Sequence, residues 1–158
     1  MSKSAPRSSN RAGWQTAFPR KTGKRTSLSN ALVILCVDDE PVGLAARHVL
    51  LSVAGYAVLT AQSRDRALKL LRLNHVDLVI ITGPLLSCPN PADLISEMKR
   101  LKPEVPIVLF SDLVDMSPRY QQADLQLTKG ITPPKFLAEL AALIATRRSI
   151  GPDNTHLN

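Results

Sequence analysis

Aromatic residues, cysteines and long apolar runs are all scarce in this chain. Aromatic residues make up 4% of its 158 residues and hydrophobic ones 44%, so an aliphatic core is expected. The only two cysteines, Cys36 and Cys88, lack the number and spacing of a disulfide framework or a zinc knuckle. We expect Cys36, inside an apolar run, to be a buried and inert thiol. Since no apolar run reaches the roughly 18 residues of a membrane helix, we expect no membrane insertion.

Acidic residues are missing from positions 1–29. This segment carries seven of the 20 Lys and Arg residues, so the net charge of +7 belongs to it and not to residues 30–158. An Arg- and Ser-rich, acid-free segment is also typical of transit peptides. We interpret it as a basic, disordered arm. We do not expect it to bind nucleic acid, because Trp14 and Phe18 are too few to stack bases.

From residue 31 onward, apolar runs alternate with helical patterns. Strands are predicted at 31–37, 56–60, 76–81, 106–110 and 125–127, and helices at 41–54, 63–73, 93–101 and 132–146. Three prolines predict a loop over 83–91. The alternation predicts an α/β fold with a doubly wound, five-stranded parallel sheet of the flavodoxin-like type. The domain is expected to span 30–148, followed by a short tail at 149–158.

Chemically active side chains follow the predicted strands. Ligands of such sheets bind at the carboxyl ends of the strands. The residues at these ends are Asp38, Asp39, Thr82, Gly83, Ser111 and Lys129. Two adjacent carboxylates repel each other unless a cation lies between them, and Mg²⁺ meets that need.

Lys129 and Ser111 each allow two interpretations. Lys129 either acts as a point charge toward a phosphoryl oxygen or forms a salt bridge to Asp38 or Asp39. The hydroxyl of Ser111 either donates to a phosphoryl oxygen or belongs to an ordinary turn at the end of a strand.

Four short segments together resemble the receiver domain of two-component response regulators over about residues 31–146. They are Cys36-Val37-Asp38-Asp39-Glu40-Pro41, Val76-Asp77-Leu78-Val79-Ile80-Ile81, Pro106-Ile107-Val108-Leu109-Phe110-Ser111 and Ala123-Asp124-Leu125-Gln126-Leu127-Thr128-Lys129. The resemblance implies that Asp38 and Asp39 help to bind Mg²⁺. It also implies that Ser111 is a switch hydroxyl and that Lys129 binds phosphate.

The chain departs from the family where the phosphoacceptor aspartate is expected. That position aligns with Thr82, or with Gly83 if one loop residue is shifted, and no acid occurs between Asp77 and Asp93. A threonine hydroxyl cannot form the acyl phosphate that the family uses, and a phosphate ester would need a base and a different donor. The missing carboxylate is also a missing metal ligand. We therefore expect Mg²⁺ binding to be weaker than in a normal receiver.

Other family features are absent as well. The switch aromatic is replaced by Leu127, or by Gln126 one residue earlier, and Gly130 follows the lysine instead of proline, so no cis peptide is expected there. The stretch 112–122 is about one turn short for a receiver's fourth helix and contains Pro118. We therefore expect that face to be irregular.

The sequence thus predicts a degenerate, stand-alone receiver-like protein, bacterial and cytoplasmic, that acts by binding and not as an enzyme. Its expected partners are a sensor histidine kinase, a phosphotransferase or another receiver, met through the first and last helices or the altered fourth-helix face. One alternative is a small-ligand or nucleotide sensor, although no glycine-rich loop follows the first strand. Another is a haloacid-dehalogenase-like phosphatase with Asp38 as nucleophile, for which the folded part leaves no room for a cap domain.

Overall fold

The structure contains one parallel sheet of five strands. The computed structural model of the chain describes residues 30–115 and 117–150; the predicted arm (1–29) and most of the predicted tail (151–158) lie outside the described residues. The strands are β1 (Val33–Val37), β2 (Ala57–Ala61), β3 (Leu78–Thr82), β4 (Ile107–Ser111) and β5 (Leu125–Thr128). Their order is β2-β1-β3-β4-β5, with every neighbouring pair parallel. This confirms the predicted doubly wound, flavodoxin-like fold.

Four α-helices cover the two faces of the sheet within the described residues. They are α1 (Pro41–Val53), α2 (Arg64–Leu73), α3 (Pro91–Leu101) and α4 (Pro133–Ser149). One core cluster joins α2 and α3 to the sheet, and a second joins α1 and α4 to its other face. Strands buried on both faces require continuous apolar runs, which explains why they were recognisable. No helix in this part of the chain combines the length and the apolar content that crossing a bilayer requires.

Three of the four helices begin after a residue whose side chain caps the first turn, whereas Thr132, before α4, makes no side-chain capping hydrogen bond. Ser63 caps α2 by accepting the N–H of Arg66 at 3.2 Å. The prediction that the third helix begins at Asp93 is wrong, because α3 starts at Pro91 inside the expected loop. The Asn90 side chain accepts the N–H of Ala92 at 3.2 Å. Proline is well suited to the first helical position, where its missing N–H costs no hydrogen bond.

Residues 112–124, between β4 and β5, are irregular. Apart from Met116, which is not described, they contain a single 3-10 turn, Pro118–Tyr120, and no α-helix. The prediction that this stretch is too short and too proline-broken for a regular fourth helix is confirmed. This part of the surface is therefore built from turns.

A group of charged residues closes the sheet at the amino ends of the strands. Asp124, directly before β5, accepts hydrogen bonds from Lys99 of α3 at 2.7 Å and from Arg147 of α4. It also accepts the N–H of Ile107 at 2.8 Å. We call Asp124, Lys99 and Arg147 the amino-end cluster. It ties α3, α4 and β4 to the start of β5.

Candidate functional site

The carboxyl ends of β1, β3 and β4 bring three side chains into one row. Val37 pairs with Ile81, and Thr82 pairs with Phe110. The same register, continued by one residue, places Asp38 beside Thr82. Residues that are paired across neighbouring strands point to the same face of a sheet, and Phe110 belongs to the core beneath α1 and α4. The row therefore faces these two helices.

Asp38 is buried and forms an ion pair with Arg47 of α1. Asp38 is 5% exposed, and one of its oxygens accepts the N–H of Glu40 at 2.9 Å. The other oxygen accepts a hydrogen bond from the Arg47 guanidinium, which also lies 5.1 Å from the centre of the Phe110 ring. The guanidinium thus lies between the carboxylate and an aromatic face, and both surfaces attract a cation.

Arg47 is the functional residue that sequence reasoning missed. Its signal was present, because Leu44, Arg47 and Leu51 are spaced as i, i+3 and i+7 and so share the buried side of α1. Gly43 leaves room for the pair. A Cβ atom there would lie 3.3 Å from the Asp38 carboxylate and 3.6 Å from the guanidinium.

The neighbouring Cys36 is the buried thiol that the sequence predicts. Burial raises the pKa of Cys36 to about 12, while Arg47 opposes this rise and Asp38 adds to it. The thiol is therefore protonated at neutral pH and has no nucleophilic role.

Asp39 is half-buried and points to the loop between β3 and α3. Its carboxylate accepts the N–H of Leu86. Leu85 and Cys88 close a small turn within this loop through two main-chain hydrogen bonds of 3.3 and 3.1 Å. Asp39 therefore serves to hold the loop against the end of β1.

Thr82 and Gly83 are the two alternatives for the substituted acceptor position. Thr82 is 5% exposed, and its hydroxyl has no hydrogen-bond partner among the described residues. Gly83 donates its N–H to the carbonyl of Phe110 at 3.2 Å, and a Cβ atom on it would lie only 2.5 Å from Cγ of Pro91. A side chain fits at Thr82 and not at Gly83, so the geometry favours Thr82.

Ser111 is the last residue of β4, Lys129 directly follows β5, and both use local partners. The hydroxyl of Ser111 donates to the carbonyl of Leu113 at 2.7 Å. The ammonium group of Lys129 lies 3.8 Å from the Asp112 carboxylate, and both side chains are exposed. The alternative salt bridge from Lys129 to Asp38 or Asp39 is not formed in the part of the chain that the structure describes.

Gln126 connects β5 to the irregular segment. Its amide nitrogen donates to the main-chain carbonyl of Asp115 at 2.8 Å, and its amide oxygen accepts the N–H of Asp115 at 2.9 Å. The N–H of Ser117 donates to the Asp115 carboxylate and holds its pKa below the usual value. Leu127, the other candidate for the switch position, is buried. The side chain is therefore held in place at both candidate switch positions, by hydrogen bonds in Gln126 and by burial in Leu127.

The Mg²⁺ site implied by the resemblance does not fit these side chains as they are arranged. Arg47 already neutralises Asp38, Leu86 binds Asp39, and Thr82 supplies no charge. Mg²⁺ is normally held by one or two free carboxylates together with water in strict octahedral geometry. In residues 30–115 and 117–150, no group of three or more His, Cys, Asp or Glu side chains is placed to hold a metal ion.

Known proteins are similar to this chain in sequence and in fold. The family model described as response regulator receiver domain matches residues 34–144. The transcriptional regulatory protein KdpE of Mycobacterium tuberculosis is 30% identical over 118 residues, which are 71% of this chain and 50% of KdpE. The chain spans about half the length of the curated relatives it matches.

Solved structures agree on the fold. A CheY-like receiver domain protein from Methanospirillum hungatei superposes with a TM-score of 0.72 at 19% identity, covering 77% of this chain and 99% of that one. The response regulator TrrA of Thermotoga maritima, in complex with Mg²⁺ and BeF, gives 0.67 at 24% identity, covering 71% and 98%. At such identities the likeness concerns the fold alone.

Proposed function

The chain belongs to the response regulator receiver domain family of two-component signalling, and we propose that it acts there as a docking module that accepts no phosphoryl group. Its partner would be a sensor histidine kinase, a phosphotransferase or another receiver, met in the cytoplasm. Receiver domains are generally signalling modules without enzymatic activity, and we assign none here. The observation that carries the proposal is the buried, neutral Thr82 at the acceptor position.

The surroundings of Thr82 do not activate it as a nucleophile. A threonine hydroxyl needs an adjacent base to attack a phosphoryl donor. The adjacent carboxylate, Asp38, is already bound to Arg47 and to the N–H of Glu40. The hydroxyl of Thr82 is also sealed from solvent. We therefore assign no phosphoester chemistry to Thr82.

Two further contacts support a domain that does not switch by phosphorylation. The Gln126 side chain is fixed by both main-chain polar groups of Asp115. The Ser111 hydroxyl is bound to the carbonyl of Leu113 two residues ahead. Moving either side chain toward the acceptor position would first have to break these hydrogen bonds.

The exposed face of α1 supports docking. Its exposed residues include no Asp, Glu, Lys or Arg and are Pro41, Val42, Ala45, Ala46, His48, Val49, Ser52 and Val53. Val42, Val49 and Val53 are 74, 60 and 82% exposed. Helix α4 lies on the same face of the sheet, and a mostly apolar cavity of about 190 Å³ lies between Ala46 of α1 and Phe136 of α4. An apolar helix face beside a groove is a surface on which a partner helix can pack.

Binding measurements with charge-introducing variants test the docking surface. Purified histidine kinase dimerisation domains and phosphotransferase domains from the source organism would be titrated with the full chain by calorimetry. Val49→Glu should raise the dissociation constant about tenfold or more, because an unpaired carboxylate would be buried in the complex.

Leu73→Glu is the matched control. Leu73 is 70% exposed at the end of α2, on the opposite side of the sheet, and the same substitution there should leave affinity unchanged. An equal loss of affinity in both variants, or an unchanged affinity in Val49→Glu, would show that the partner binds elsewhere.

Phosphorylation is tested with acetyl phosphate and mass spectrometry. The wild-type chain should form no hydroxylamine-labile phosphoryl adduct. Such an adduct on the wild type would refute the proposal. An adduct that appears only in Thr82→Asp would locate the lost acceptor at Thr82.

The nucleotide-sensor alternative gains no support from the neighbouring cavity. A cavity of about 490 Å³ lies beside Gly83 and Ser111, but Asp112 and Asp115 line it. These carboxylates repel a nucleotide phosphate. We expect no rise in melting temperature with ATP or GTP.

A further inference from the structure

We infer that Arg47 replaces the divalent cation of the acid pair: its guanidinium is a built-in counterion of Asp38, and Mg²⁺ gains a site at Asp38 and Asp39 only when Arg47 is removed. This goes beyond the docking proposal, because it concerns how the site is neutralised and not what binds α1.

Both oxygens of the Asp38 carboxylate already have hydrogen-bond partners. One oxygen accepts the N–H of Glu40 and the other accepts the guanidinium of Arg47. A metal ion would have to compete for an oxygen that already binds a full positive charge. The pairing with Arg47 also avoids the dehydration of Mg²⁺, an ion that releases its bound water reluctantly.

The ion pair between Arg47 and Asp38 is largely shielded from water. The side chains of Arg47 and Asp38 are 11% and 7% exposed. A carboxylate at such a depth is stable as an anion only with a cation against it. Since the family's acid pair needs a cation to limit repulsion, the chain meets the same electrostatic need from its own helix.

The side chain of Arg47 is held in place by its surroundings. Its guanidinium is held on one side by the Phe110 ring, at 5.1 Å, and its stem lies on the buried side of α1. Gly43 keeps the space between α1 and the carboxylate free of a side chain. The cation is thus fixed by packing and does not depend on solution conditions.

The charge balance agrees with this assignment. Near the end of β1, the acids Asp38, Asp39 and Glu40 have one bound cation, Arg47, while the ammonium group of Lys129 lies 3.8 Å from Asp112. A divalent ion added to this arrangement would meet two carboxylates without a cation, Asp39 and Glu40, and both already accept main-chain N–H groups, from Leu86 and Gly43. That is too little for tight Mg²⁺ binding.

Thermal unfolding of the full chain, with and without Mg²⁺ at constant ionic strength, tests the inference. The wild type should shift by less than about 1 °C in 10 mM Mg²⁺. Arg47→Met should melt lower in the absence of Mg²⁺ and regain about 3 °C or more when Mg²⁺ is added, since a ligand of the native state stabilises it.

Two controls separate the site from the rest of the chain. Arg64→Met removes a similar arginine, paired with Glu97 between α2 and α3, and should gain no Mg²⁺ response. Arg47→Met combined with Asp38→Asn should lose the response that Arg47→Met gained, because the neutral amide is a poor Mg²⁺ ligand.

A measurement on the wild type keeps the inference testable if Arg47→Met does not fold. Mn²⁺ at 0.1 mM should leave the amide NMR signals of Asp38, Asp39 and Thr82 unbroadened. Selective broadening of these signals would overturn the inference. So would an Arg47→Met protein that is folded and indifferent to Mg²⁺, or an Arg64→Met protein that responds equally. None of these results depends on a docking partner, so they leave the docking proposal to its own test.

Discussion

Each end of the sheet holds a largely buried aspartate, with a side chain 12% exposed in Asp124 and 7% exposed in Asp38, and the two aspartates are neutralised differently. At the amino end, Asp124 binds two cations and one main-chain N–H, contributed by α3, α4 and β4. At the carboxyl end, Asp38 binds one cation and one N–H, both from within nine residues of itself. The partners of Asp124 are 17 to 25 residues away in the chain.

This difference shows what each carboxylate does. The amino-end cluster joins elements that are distant in sequence, so it holds the fold together. The Asp38–Arg47 pair joins neighbouring elements at the edge where this type of sheet binds ligands, so it fills a site. The same chemistry is structural at one end and a substitute for a ligand at the other.

The largest effect should come from Asp124→Ala. The largely buried Lys99, the N–H of Ile107 and the partly exposed Arg147 would lose their partner, and the free energy of unfolding should fall by about 4 kcal/mol. Urea denaturation measures it. Asp65→Ala is the control, because Asp65 is 94% exposed and its ion pair with Arg64 should be worth less than about 1 kcal/mol.

A smaller loss is expected from Asp38→Ala. One buried cation, Arg47, would be left unpaired, which should cost about 3 kcal/mol. Replacing both partners, as in Asp38→Leu with Arg47→Met, should restore stability to within about 1 kcal/mol of the wild type. If Asp38→Ala costs as much as Asp124→Ala, the distinction between the two ends fails.

Thr82→Val should change stability least among the substitutions, and in the opposite direction. The buried Thr82 hydroxyl has no partner among the described residues, so an apolar group of the same shape should stabilise the protein by up to about 1 kcal/mol. Thermal unfolding measures the gain. Destabilisation would reveal a hydrogen bond at this end of the sheet that makes it more like the amino end.

Cys36 should not be labelled by a thiol reagent in the native protein. Burial raises its pKa to about 12, so in Cys88→Ser the remaining thiol should stay protonated and unreactive toward Ellman's reagent at pH 8. Reactivity should appear only as the protein unfolds in urea. Labelling well before global unfolding would show that the carboxyl end opens by itself.

The fold could be predicted because its three central strands, β1, β3 and β4, are buried on both faces. Runs such as 31–37 and 78–81 are continuous and apolar, and the alternation with helices leaves a parallel sheet as the consistent arrangement. The start of α3 was missed because three prolines suggested a loop over 83–91. Local capping by Asn90 turned the last of them, Pro91, into the first residue of a helix.

The residues of the candidate site could be named from the sequence, whereas most of their partners could not. Asp38 and Thr82 follow directly from the strand ends. The pairing of Arg47 with Asp38 depends on how α1 is rotated against the sheet, and that of Lys129 with Asp112 depends on a turn after β4. The link from Gln126 to Asp115 requires the path of an irregular segment, which no periodic pattern describes.

The fixed Gln126 has a consequence for how information would pass through the molecule. A receiver with a movable side chain at this position reports by changing the proportion of two shapes. In this chain, both polar groups of the Gln126 amide are bonded to the main chain of Asp115, which holds the side chain in one arrangement. If the docking proposal holds, such a protein acts by stoichiometry: the number of copies, set by synthesis and degradation, determines how much of the partner is occupied.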